Sequence, residues 1–124
     1  MSETWIAYED LTALVGVEAA GALCAALGGA PVYVARRPSP DGDLARAAGM
    51  EAAGALAAAY GGETVVVPTR RAYLRARQTG ELLRQGLSCR ETARRVGLTE
   101  RRVRQIARQI RTNPGGARQA SLWD

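Results

Sequence analysis

The sequence has no histidine, no lysine and no phenylalanine. Without histidine there is no His-based triad, no His-dependent metal site and no ordinary general base near neutral pH. Only six residues are aromatic, two Trp and four Tyr, and much of the hydrophobic content is Ala, which buries little area per side chain. A core built this way is thin. The two cysteines, Cys24 and Cys89, lie far apart and make neither a disulfide framework nor a zinc site. They read as small buried hydrophobes in a reducing compartment. The first residues, Met1-Ser2-Glu3-Thr4-Trp5, lack a basic segment leading into an apolar run, and the Ala-rich stretches are broken by Gly and Glu. A secretory signal and a membrane span are therefore not expected, and the expected location is the cytoplasm. At 124 residues there is room for one domain or two small units sharing a core, too little for a Rossmann enzyme, an α/β barrel or a kinase.

The basic residues that are present are all Arg, 17 of them, and they are segregated. Residues 1–69 carry three Arg against eight acids, whereas residues 70–111 carry 13 Arg against three acids. A high-GC genome explains Arg in place of Lys but not this division. An acidic half followed by a strongly basic half is the footprint of an assembly module joined to an anion-binding module.

The acidic half contains a repeat. Val15-Gly16-Val17-Glu18-Ala19-Ala20-Gly21-Ala22-Leu23 matches Ala48-Gly49-Met50-Glu51-Ala52-Ala53-Gly54-Ala55-Leu56, and Gly28-Gly29-Ala30-Pro31-Val32-Tyr33-Val34 matches Gly61-Gly62-Glu63-Thr64-Val65-Val66-Val67, at a constant offset of 33. Each unit, about 11–36 and 43–68, reads as one helix, a glycine stop and a short strand. Leu11, Leu14, Val15, Ala19, Ala22, Leu23, Ala26 and Leu27 form one helical stripe, and Leu44, Ala48, Ala52, Ala55, Leu56, Ala59 and Tyr60 form the other. Gly-Gly supplies a left-handed residue to end each helix. Val32-Tyr33-Val34 and Val65-Val66-Val67 are the strands, Pro38-Ser39-Pro40-Asp41-Gly42 is a turn, and Asp43 is the next N-cap. Gly21 and Gly54 inside the helices cost about 1 kcal/mol each against Ala, which close helix approach would offset. Glu18 and Glu51 read as boundary ion-pair residues rather than a catalytic pair. Short strands with open edges and small-residue helical faces invite a second copy, so residues 1–68 are expected to form a homodimerisation domain, with a compact monomeric α+β domain as the alternative.

The basic half has the spacing of a helix-turn-helix: Ala93, then Gly97 four residues on, Val103 six further and Ile106 three further. The small residue lets two helices cross closely, the Gly permits the turn, and the two aliphatics plug the core. Thr92, Val96 and Leu98 sit around them. Ser88 and Glu91 form a capping box, and Thr99 caps the next helix. Helices are predicted at about 70–85, 89–96 and 100–111, the first offering Tyr73, Leu74, Leu82 and Leu83 and ending at Gly86, with Leu87 beneath. With Val103, Ile106 and Ile110 inward, Arg101, Arg104, Gln105 and Arg108 point outward. These are side chains suited to guanine and adenine edges in the major groove. Arg90, Arg94, Arg95, Arg102 and Arg111 flank them and suit phosphates. The tail, 112–124, reads as flexible, with Trp123 near its end.

This order of elements, with Gly-x-Glu-Ala-Ala…Gly-Gly-x-x-Val-x-Val joined to Gly86-Leu87-Ser88-x-Arg90-Glu91-x-Ala93-Arg94-Arg95-x-Gly97-Leu98-Thr99, resembles the Mor transcription activator family over about residues 11–111. The resemblance implies a homodimer that binds an imperfect dyad in double-stranded DNA upstream of a phage or prophage middle promoter and recruits bacterial RNA polymerase. The expected protein is thus mainly α with short β-strands: an N-terminal helix–strand repeat for dimerisation, 1–68, followed by a C-terminal trihelical DNA-binding unit, 69–111. A repressor, an accessory factor of phage recombination or packaging, and a protein-interaction module with an Arg-rich helix are the alternatives. No enzyme activity, metal, cofactor, small-molecule ligand or membrane partner is expected.

Overall fold

The acidic half folds as two copies of one helix–helix–strand unit, preceded by a short strand. In the computed structural model, which describes residues 3–112 without the side chains of 110–112, β1 (Thr4–Trp5) is followed by α1 (Tyr8–Val15), α2 (Val17–Leu27) and β2 (Pro31–Tyr33). The second unit is α3 (Asp43–Ala48), α4 (Met50–Tyr60) and β3 (Thr64–Val66). Three helices complete the described chain: α5 (Arg70–Arg84), α6 (Cys89–Val96) and α7 (Glu100–Thr112). The protein is mainly helical with short strands. The tail after residue 112, with Trp123, lies outside the described residues.

The single helix expected in each unit is two helices. Gly16 and Gly49 hold φ of 92° and 93° with ψ of 164°, a conformation open in practice only to glycine, and each breaks the apolar stripe that periodicity alone joins. Both pieces still face the core, but Ala26 and Ala59 of the expected stripes are exposed, while Val17, Ala20, Cys24 and Ala53, outside them, are buried. The Gly-Gly pairs also differ from a simple left-handed cap. Gly28 and Gly61 are extended, and Gly29 and Gly62 carry the positive φ, 81° and 89°. With the Ala30 amide on the Leu27 carbonyl and the Glu63 amide on that of Tyr60, each pair forms a type II-like turn that reverses the chain into its strand. Asp43 is the first residue of α3, not its cap, which is Gly42.

The strands form one sheet in the order β1-β3-β2. β2 and β3 are antiparallel, with Val32 opposite Val65. β1, missed from sequence because two residues carry no periodicity, runs parallel to β3. Helices α1 and α2 pack against α4 and α3 respectively beneath this sheet. Leu11, Leu23 and Leu56 are fully buried, each contributing roughly 1.5–3 kcal/mol. Val34, Val65 and Val67 close the core from the sheet side, and Ala20 and Ala53 allow the helices to approach.

The same core continues into the basic half. Tyr73 and Ala76 of α5 and Ile106 of α7 belong to it, and Tyr8 meets Tyr73 with ring centroids 5.5 Å apart. The Tyr73 hydroxyl donates to the Val17 carbonyl at 2.7 Å. Burial pushes the Tyr8 hydroxyl up to about 12, with Tyr73 adding to the shift, and burial raises the Cys24 thiol to about 11. Cys89, expected inside, is only half-buried.

Candidate nucleic-acid interface

Local chemistry sets each helix of the basic half. Thr69 Oγ1 accepts from the Ala72 amide at 3.1 Å and opens α5. Gly86 ends it with φ of 97°, its amide on the Leu83 carbonyl and that of Leu87 on the Leu82 carbonyl. Ser88 Oγ accepts from the Glu91 amide at 3.1 Å, and Thr99 Oγ1 accepts from that of Arg102 at 3.1 Å. Both caps follow the sequence expectation. Between α6 and α7, Gly97 adopts φ 74°, ψ 28°, the left-handed residue the turn requires.

Packing then fixes which face is free. Thr92, Ala93 and Val96 of α6 are buried, as are Val103 and Ile106 of α7. Of the four apolar residues expected from α5, Tyr73 is buried and Leu82 and Leu83 are half-buried, but Leu74 faces solvent. On α7 the residues opposite Val103 and Ile106 are exposed: Arg101, Arg104, Gln105 and Arg108. Arg104 pairs with Glu100 one turn earlier. On α6, Arg90, Arg94 and Arg95 are exposed. Glu91 lies 3.9 Å from Arg94 and 3.7 Å from Arg95, long contacts between exposed groups.

Arg102, expected among the phosphate candidates, has a partner in the acidic half. Its guanidinium donates to both carboxylate oxygens of Glu9 on α1, at 2.6 and 2.9 Å. Burial pushes the Glu9 carboxyl up, but the hydrogen bond from Arg102, with a backbone hydrogen bond and the Arg102 charge, outweighs burial and holds the group below its usual range. This forked pair ties α7 to the acidic half. Sequence reasoning missed Glu9 because the partners lie 93 residues apart. The side chains of Ile110 and Arg111 lie outside the described residues.

Glu18 and Glu51 do not form the expected ion pairs among the described residues. Both are exposed, and both line one groove with Leu14, Ala19, Ala48 and Ala52. No helix among the described residues is long and apolar enough to cross a membrane.

No curated protein and no solved structure matches the chain. A sequence model of the Mor transcription activator family matches residues 35–122, starting later than the resemblance read from motifs and leaving the first helix–strand unit outside. It takes in the second unit and the capped, Arg-faced helices described above. The chain belongs to the Mor transcription activator family.

Proposed function

We propose that this protein is a DNA-binding activator that lays α7 in the major groove as the second helix of a helix-turn-helix. The observation that carries the reading is the exposed row Arg101, Arg104, Gln105 and Arg108 on the side of α7 opposite the buried Val103 and Ile106. Arg and Gln offer paired donors or a donor–acceptor pair that suit guanine and adenine edges, each good pair being worth roughly 1–3 kcal/mol of discrimination. Arg90, Arg94 and Arg95 hold phosphates on either side of the groove. Their contacts with Glu91 are long and exposed, so exchange for phosphate costs little. Arg111 remains a phosphate candidate on its sequence position. Arg102 is left out because Glu9 occupies it.

Family membership supports activation as the outcome, with bacterial RNA polymerase as the partner and a phage or prophage middle promoter as the target.

The test is selection of bound sequences from a random duplex pool at physiological salt, followed by transcription in vitro with the enriched site upstream of a weak promoter. An enriched sequence and rising transcript with added protein support the reading. Salt-sensitive binding without enrichment points to an architectural role, and absence of binding sinks it.

A further inference from the structure

The two N-terminal units are arranged in one chain as two subunits are arranged in a symmetric dimer. Val32 pairs with Val65, its own counterpart 33 residues on. On either side, Pro31 pairs with Val66 and Tyr33 with Thr64, and the repeat offset converts each of these pairs into the other. The exchange continues beyond the strands. The Gly29 amide donates to the Val67 carbonyl at 3.0 Å, and the Gly62 amide to the Val34 carbonyl at 2.7 Å. Helix α1 packs on α4 as α2 packs on α3. A local two-fold axis between Val32 and Val65 generates all of these contacts. This is the reciprocity of an isologous interface, in which residue i meets j and j meets i. One strand edge of each unit is covered by the other unit, and Ala20 and Ala53 are buried in the shared core.

The symmetry breaks at β1, which pairs with β3 and has no counterpart on β2 among the described residues, and at the basic half. Helix α5 docks on α2, where Tyr73 lies against Gly21 and its hydroxyl holds the Val17 carbonyl. The counterpart positions on α4 are vacant. Around Gly54 nothing lies within 4 Å of where a Cβ would be, and Met50 is 45% exposed where Val17 is 6% exposed. Two dimer-like units therefore carry one three-helix unit, which follows the second unit in the chain and packs on the first.

We infer that the first unit stands in for the N-terminal domain of a partner subunit, so that one chain is a complete pseudo-dimer with a single DNA-reading head. It then recognises one undivided DNA element and not a two-fold repeated one. The second clause rests on the DNA-binding reading above; the first does not. Dyad operators mirror a protein two-fold that carries two heads. With one head there is no second half-site and no gain from linked binding, so phosphate contacts must supply more of the affinity. The exposed Arg90, Arg94 and Arg95 of α6 are suited to that demand.

Sedimentation equilibrium of the full chain without DNA tests the first clause, and sequence selection from a random duplex pool tests the second. The expected results are a 13.2 kDa species throughout the micromolar range, one chain per bound duplex, and an enriched element without a related second half. A stable species of twice that mass, or a site in two related halves at fixed spacing, overturns the inference. A monomer that binds no DNA upholds the pseudo-dimer and overturns the undivided element together with the DNA-binding reading. Met50→Glu adds charge on the vacated face of α4, at a position exposed enough to fold normally. Unchanged mass and unchanged DNA affinity in this variant support the inference, while a change in either shows that a second copy uses that face.

Discussion

Arg102 of α7 grips Glu9 of α1 through both guanidinium nitrogens, at 2.6 and 2.9 Å, across the junction between the basic and acidic halves. The pair is half-shielded, with side-chain exposures of 30% and 14%, so solvent screens it only in part. Glu9→Gln and Arg102→Ala are each expected to destabilise the protein by about 1–2 kcal/mol, measured by urea denaturation. The Glu9 carboxyl is held below its ordinary value of 4.5, so its contribution is present above that value and is lost as pH falls through the lower folded value. A thermal melt that drops on acidification in the wild type, and drops less in Glu9→Gln, is the expected signature.

Gly21 and Gly54 occupy equivalent places in the repeat but have different neighbours. A Cβ on Gly21 would stand 3.0 Å from the Tyr73 hydroxyl and 3.2 Å from its ring, which is buried and tethered to Val17. Gly21→Ala is expected to lose about 1 kcal/mol by overpacking. Gly54→Ala, in open space, is expected to gain roughly 0.5–1 kcal/mol from helix propensity. Opposite shifts in melting temperature check both; equal shifts would show that α5 does not distinguish the two units.

Thr92 is fully buried, and its hydroxyl has no hydrogen-bond partner among the described residues. An unpaired buried hydroxyl carries a desolvation cost that a methyl of the same shape avoids. Thr92→Val is expected to raise stability by about 1 kcal/mol and leave DNA affinity unchanged. A lower melting temperature would mean that the hydroxyl is satisfied in solution.

The α7 row and the α6 arginines should separate by what they do to specificity. Arg101→Ala and Gln105→Ala are expected to relax the preferred sequence at single positions and cost roughly 1–3 kcal/mol each on the best site. Arg94→Ala is expected to weaken binding to all sequences alike and reduce the salt slope by about one. Binding isotherms on matched and scrambled duplexes at several salt concentrations distinguish these outcomes. All three residues are exposed, so folding should be unaffected.

The sequence by itself determined the elements whose causes lie within a few residues of one another. Ser88, Thr99 and Gly97 act on backbone groups next to them, so the caps and turn of α6 and α7 were legible, as were the inward Val103 and Ile106. The 33-residue repeat was legible as pattern. Tertiary structure decided how the two copies of the repeat meet and where long-range partners fall. The breaks at Gly16 and Gly49 have apolar residues on both sides, so periodicity does not register them. The parallel β1, the claim of Glu9 on Arg102 and the pairing of Val32 with Val65 join residues far apart in the chain. Those contacts are selected by loop closure and by the shape of the common core, which no local spacing encodes. Open edges in the sequence pointed to a second copy; the fold met that need with the second unit of the same chain.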